Sequence, residues 1–134
     1  MTFPQPAVIL VDDDPAVRHS LAFLLGLEGY QVRTFATAGA MLAMDTVPDR
    51  SCLIIDYALP DLNGLELLAK LRTMGVSHPA ILITSNPTPA LRRRAAAALV
   101  PIVEKPLLSS SLTDAIRAAM GGGRSSEQEA IPDP

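Results

Sequence analysis

Short apolar runs and longer amphipathic stretches alternate along this chain. Four of the runs are Val8-Ile9-Leu10-Val11, Leu53-Ile54-Ile55, Ile81-Leu82-Ile83 and Ile102-Val103, and each leads into polar residues: Asp12-Asp13, Asp56, Thr84 and Glu104-Lys105. Near-continuous runs rich in Val and Ile suit strands buried on both faces. Residues 30–35 alternate instead, with Tyr30, Val32 and Thr34 against Gln31, Arg33 and Phe35, which predicts a second strand near a sheet edge.

The segments between the runs read as helices. After Asp13, Asp14-Pro15 supplies a cap and the residue favoured at the first helical position. Val17, Leu21, Leu24, Leu25 and Glu28 then follow at helical spacing before Gly29, a left-handed stop. A short Ala- and Met-rich helix is expected over Thr37–Asp45. Pro60-Asp61-Leu62-Asn63-Gly64 has the chemistry of a loop, and Leu65, Leu68 and Leu71 mark a third helix. Pro87 and Pro89 frame the start of a fourth. The fifth runs from Ser109 or Ser110 to Met120, with Leu112, Ala115, Ile116 and Ala119 on one face, and Gly121-Gly122-Gly123 ends it.

Five strands alternating with five helices predict an α/β fold in which helices cross over and cover both faces of a parallel sheet. The polar ends of the runs then meet at the carboxyl edge of that sheet, where open α/β sheets place their ligands. The 134 residues are enough for one domain. It is expected over residues 7–120, with residues 1–6 a flexible N-terminus and 121–134 a disordered Gly, Ser and acidic tail or linker stub.

Composition narrows the function. The formal net charge is −3, of which the last fourteen residues carry −2, so the body is near neutral and lacks the basic surface of a nucleic-acid binder. Cys52 is the only cysteine and opens an apolar run, so it is expected as a reduced core thiol of an intracellular protein. No stretch reaches the length of a membrane span, and residues 1–6 lack the features of a signal peptide, so cytoplasm is the expected location.

The chemistry lies at the strand ends. Adjacent carboxylates such as Asp12 and Asp13 raise one another's pKa unless a cation neutralises them. With Asp56 they make an all-oxygen set suited to Mg²⁺. Taken alone, Asp12–Asp14 reads equally well as a capped helix start, and Lys105 as a solvated charge. Lys105 precedes Pro106, and a cis bond there would aim the amine across the sheet edge.

Taken together, Val11-Asp12-Asp13-Asp14-Pro15, Asp56-Tyr57-Ala58-Leu59-Pro60-Asp61-Leu62-Asn63-Gly64, Ile81-Leu82-Ile83-Thr84 and Glu104-Lys105-Pro106 resemble the receiver domain of two-component response regulators, in detail the nitrogen-fixation-regulator type. The spacings agree as well: 43 residues from Asp13 to Asp56, 28 on to Thr84 and 21 on to Lys105. The resemblance covers residues 7–120. It implies a flavodoxin-like, doubly wound sheet of strand order 2-1-3-4-5.

It also implies that Asp56 is the phosphoacceptor for a histidine kinase. Asp13 would be a direct Mg²⁺ ligand, Asp12 would act largely through metal-bound water, and the Ala58 carbonyl would complete the protein ligands. Thr84 would hydrogen-bond a phosphoryl oxygen, Lys105 would offset its charge, and Pro60 and Gly64 would shape the loop. Implied partners are a histidine kinase, a histidine phosphotransferase or downstream regulatory protein, and a second copy through the face of the fourth helix, fifth strand and fifth helix. Nucleic acid and membrane are not among them.

The chain departs from the family at Ile102, a switch position usually aromatic. The stretch from Thr84 to Lys105 is proline-rich and about one residue short, which predicts a displaced, short or mobile fourth helix. Arg92, Arg93 and Arg94 fall on different sides of a helix and read as a solvated patch, His19 as a surface residue and His78 as a loop residue. The leading expectation is a stand-alone receiver that signals through protein binding, not an enzyme in its own right. Three rivals stand against it: a pseudo-receiver that binds partners without phosphorylation, a receiver excised from a DNA-binding regulator, and a dehalogenase-type phosphatase. The last would need an acid where Ala58 stands.

Overall fold

The computed structural model describes residues 5–107 and 110–121. Its elements alternate strictly: β1 (Ala7–Val11), α1 (Pro15–Leu27), β2 (Gln31–Phe35), α2 (Ala38–Leu42), β3 (Ser51–Asp56), α3 (Gly64–Thr73), β4 (Ala80–Thr84), α4 (Pro89–Ala97), β5 (Ile102–Glu104) and α5 (Ser111–Ala119). The five strands form one parallel sheet of order β2-β1-β3-β4-β5, the order that the resemblance implied. The expected tail beyond Gly121 lies outside the described residues, as do Met1–Pro4 of the expected N-terminus.

Three of the four apolar runs occupy the middle of the sheet as β1, β3 and β4, which are buried along their whole length, while Ile102-Val103 lies in the edge strand β5. Alternate side chains feed two separate cores. Ile9, Val11, Leu53, Ile55 and Leu82 pack with Met41, Leu67, Leu71, Leu91 and Ala95 of α2, α3 and α4. Val8, Leu10, Cys52, Ile54, Ile81, Ile83 and Val103 pack with Leu21 and Leu25 of α1 and Leu112 and Ile116 of α5. Cys52 is a free, fully buried thiol whose pKa burial pushes up to about 12, so it stays protonated and inert. The strand over residues 31–35 sits at the sheet edge as expected, but its exposure does not follow the sequence alternation: Val32 and Phe35 are half-buried, each against a different core, while Gln31, Arg33 and Thr34 are exposed.

Local chemistry sets the helix ends. The Asp14 side chain accepts from the Ala16 backbone N–H at 2.9 Å, with Pro15 in the first turn. Gly29 follows α1 with φ +98°, the left-handed conformation that its position demands. Asn63 and Glu66 form a capping box on α3. Thr37 caps α2 through Ala40 N–H at 3.1 Å, but that helix ends at Leu42 rather than near Asp45. Its Gly39 is a poor helix former, and Met44 N–H turns back to the Met41 carbonyl. The fourth helix is formed in full over nine residues, behind a Thr88 cap, and is as long as α5.

Two helix faces are rotated from the simplest reading. Leu67, Leu68 and Leu71 are the buried leucines of α3, while Leu65 is half-buried. On α1, Leu24 points outward with Phe23 and Leu27, at 50%, 67% and 69% exposure. Among the described residues no helix is long and apolar enough to cross a membrane.

Gly64 brings α3 against the end of β3. A Cβ there would lie 2.6 Å from the Asp56 carbonyl oxygen and 2.9 Å from Ile55 Cγ2 and Leu82 Cδ1. Because the closest of these atoms is backbone, it cannot rotate away. Gly64→Ala is therefore expected to destabilise the fold by about 3 kcal/mol through overpacking, read as a lower midpoint in urea at unchanged slope.

Candidate functional site

The three consecutive aspartates after β1 have separate duties. Asp14 is the helix cap. Asp13 is exposed, whereas Asp12 is fully buried. Asp12 Oδ1 accepts the Asp14 backbone N–H at 2.9 Å, and its carbonyl oxygen accepts Arg18 Nη1–H at 2.7 Å. Its Oδ2 lies 2.9 Å from Lys105 Nζ and has no well-aligned hydrogen-bond donor among the described residues.

Asp56 ends β3 at 3% exposure, with Oδ2 3.3 Å from the same ammonium and Oδ1 3.4 Å from the Ala58 backbone nitrogen. Burial, reinforced by the charge on Asp12, raises the Asp56 carboxyl to about pKa 6, against the pull of Lys105 and the Ala58 amide. Burial by itself would lower the Lys105 pKa, but the close negative charges of Asp12 and Asp56 outweigh it and the amine is held above its ordinary value. Lys105 follows β5, and its N–H donates to the Thr84 carbonyl at 2.8 Å. The Lys105–Pro106 peptide is cis.

Thr84 ends β4 and is buried, its Oγ1 accepting the Asn86 N–H at 3.3 Å. Ile102 pairs with Leu82 across β4 and β5 and is half-buried against the α2–α4 core. The sheet thus gathers Asp12, Asp13, Asp56 and Lys105 at one point, with Thr84 on the next strand.

One ligand oxygen from each of Asp12, Asp13 and Asp56 can lie within 4.8 Å of the others. Three carboxylates with one ammonium leave an excess of negative charge in a largely dry place, and Asp12 Oδ2 lacks a full complement of donors. An all-oxygen set of this kind fits a hard divalent cation such as Mg²⁺.

Some positions stand apart from the site. His19 is exposed on α1, and His78 is half-buried between α3 and β4. Arg92 lies 4.0 Å from Glu104, Arg94 Nη1 donates to the Tyr57 hydroxyl at 3.3 Å, and Arg93 is exposed, so the three arginines do not act as one patch. Arg18 was not foreseen as a neighbour of the acidic cluster. Its signal was a cation one turn into the helix that the cluster caps.

This arrangement of strand-end acids and amine has known counterparts. The family model for the response regulator receiver domain matches residues 8–117. The chain belongs to this family. The transcriptional regulatory protein FixJ of Azorhizobium caulinodans is 36% identical over 122 residues, covering 90% of this chain and 57% of that protein. FixJ of Rhizobium meliloti is 34% identical over 113 residues, covering 84% and 55%. The chain therefore spans about half the length of the curated relatives it matches. Among solved structures, the N-terminal domain of FixJ superposes with a TM-score of 0.78 at 32% identity, covering 88% of this chain and 95% of that one. A CheY-like receiver from Methanospirillum hungatei gives 0.81 at 27%, covering 92% and 99%. Ile102 and the proline-rich approach to α4 thus belong to an otherwise regular receiver.

Proposed function

We propose that this receiver accepts a phosphoryl group on Asp56 from a phosphohistidine of a histidine kinase, in a Mg²⁺-dependent reaction, and signals by changing its affinity for another protein. The observation that carries this reading is the shared ammonium: Lys105 Nζ lies 3.3 Å from Asp56 and 2.9 Å from Asp12, beside three clustered carboxylates. A carboxylate oxygen of Asp56 forms the new O–P bond as the N–P bond of the donor breaks, and the electron pair returns to the imidazole nitrogen, which takes up a proton. Lys105 neutralises part of the charge on the transferred oxygens, and the Thr84 hydroxyl donates a hydrogen bond to one of them.

Asp13, Asp56, the Ala58 carbonyl and, through water, Asp12 would hold the metal. When bound, it supplies further neutralisation of the phosphoryl charge. Outside phosphotransfer to itself and loss of that phosphate, the receiver catalyses nothing on this reading. It works in the cytoplasm, where a kinase draws on ATP, and its outputs are a phosphotransferase, a regulatory protein or a second copy across α4, β5 and α5.

The test is incubation with a small phosphodonor and Mg²⁺, followed by mass spectrometry. Uptake of one phosphoryl group is expected with Mg²⁺ and none with chelator, and Asp13→Ala is expected to lose both Mg²⁺ binding and labelling. Unmodified protein under all conditions would favour the pseudo-receiver. The half-length coverage of the FixJ relatives favours a second reading, in which this receiver regulates a DNA-binding domain of a longer protein. The mass of the product isolated from its own cells separates that from a stand-alone receiver.

A further inference from the structure

The loop between β3 and α3 carries Ala58 at one end and the α3 cap at the other. Tyr57 anchors its start, with N–H to the Ile83 carbonyl at 2.9 Å and its own carbonyl accepting Gly64 N–H at 2.8 Å. Asn63 anchors its end through the capping box. Between those anchors, the described residues give the loop one long tie back to β3, from the Ala58 N–H to Asp56 Oδ1 at 3.4 Å, and one tie to a helix other than the one it leads into. Asp61 Oδ1 accepts the Ala38 N–H at 3.1 Å, and Oδ2 accepts the Gly39 N–H at 2.9 Å.

These are the first two amides of α2, and Thr37 Oγ1 takes the third, from Ala40, at 3.1 Å. The loop acid, more than twenty residues away in sequence, therefore completes a cap that Thr37 alone leaves unfinished. The Gly39 amide, helped by that of Ala38, holds the Asp61 carboxyl below the usual range against the opposing effect of burial. Gly39 suits the position, because a Cβ there would already meet Asp61 Oδ2 at 3.4 Å.

We propose that Asp61 is a positioning residue for metal binding: by clamping the 57–63 loop to the first turn of α2, it holds the Ala58 carbonyl toward the Asp12, Asp13 and Asp56 cluster. The inference rests on the metal-dependent reading above and adds a residue to it. Asp61 does not touch the metal. It limits how far the loop can drift from the β1–β2 side of the site, where Asp13 stands. Partners that hydrogen-bond a ligand directly are worth about 10–100-fold in metal affinity, and a clamp acting through the loop falls at the lower end of that range.

The experiment is a calorimetric titration of the full chain with MgCl₂. Asp61→Ala is expected to weaken Mg²⁺ binding roughly tenfold, and Asp61→Asn, which keeps one acceptor oxygen, roughly threefold. Thr37→Ala is the control. It removes a cap from the same turn of α2 and lowers thermal stability, but it leaves the loop tie in place and should keep the wild-type affinity. Wild-type affinity in Asp61→Ala, or an equal loss in Thr37→Ala, overturns the inference and leaves the proposed function standing. If the unaltered protein binds no Mg²⁺, the proposed function fails and the inference with it. If Asp61→Ala does not fold, Asp61→Asn against Thr37→Ala decides.

Discussion

Asp56→Asn is expected to abolish phosphoryl uptake and yet to make the metal-free protein more stable at neutral pH. The second half follows from the raised carboxyl. Asp56 has a pKa of about 6 when folded, above its ordinary value of 3.8, so between those limits the folded chain binds more protons than the unfolded one. Stability then falls as pH rises through that window, and the penalty is complete above about pH 6. Asparagine carries no charge to bury, and Lys105 keeps Asp12 as its partner. The gain at pH 7.5 is on the order of 1–2 kcal/mol, a few degrees in melting temperature. Melting curves in chelator should show the variant above wild type at pH 7.5 and the gap closing near pH 4.5. With Mg²⁺ the order should reverse, because the metal stabilises the form that keeps all three carboxylates. A variant less stable than wild type in chelator would contradict the argument.

Lys105→Ala should act in the opposite direction and more strongly. It leaves Asp12 and Asp56, 0% and 3% exposed, with no cation between them. Removing one partner of a buried ion pair costs about 3–5 kcal/mol, and the 20% exposure of the lysine side chain places this site near or below the lower end. The expected loss is therefore about 2–3 kcal/mol at pH 7 without metal. It should be recovered by lowering the pH toward 5, as one carboxylate takes up a proton, or by adding Mg²⁺. Metal binding survives in this variant, whereas the response to phosphorylation near Thr84 and Ile102 is impaired. Denaturant titrations at two pH values, each with and without Mg²⁺, check the stability and metal binding, and amide spectra of the phosphorylated variant check the response. A pH-independent loss would mean that Lys105 matters for packing and not for charge.

The two variants show which parts of the site sequence reasoning reached. The apolar runs located β1, β3 and β4 because strands buried on both faces have no polar residue to spare until they emerge, and emergence is where Asp12, Asp56 and Thr84 stand. Asp14 and Gly29 were readable because caps and stops act within a few residues of themselves, whereas the Asn63 cap was hidden in what reads as loop chemistry. The reading was less complete where contacts span the chain. That Asp12 rather than Asp13 is the buried partner of Lys105 depends on which way β1 leaves the sheet. Asp61 looked like ordinary loop chemistry because the amides it accepts belong to residues more than twenty positions earlier. The outward turn of Leu24 and the early end of α2 have the same origin: periodicity tells that a helix has an apolar side, while the neighbours decide how it is rotated and where it stops.

The fourth helix follows the same logic. Its sequence is dominated by alanine and arginine, and its buried residues are Leu91 and Ala95 alone. At nine residues it is too short to hold its shape in isolation, so its order depends on those two footholds. Lifting them off the sheet would forfeit little more than one leucine's worth of burial, about 2–3 kcal/mol. A single new charge at the end of β3 is of comparable size. On the proposed reading, α4 is the segment that phosphorylation of Asp56 would displace at least cost, with no bulky side chain required to swing.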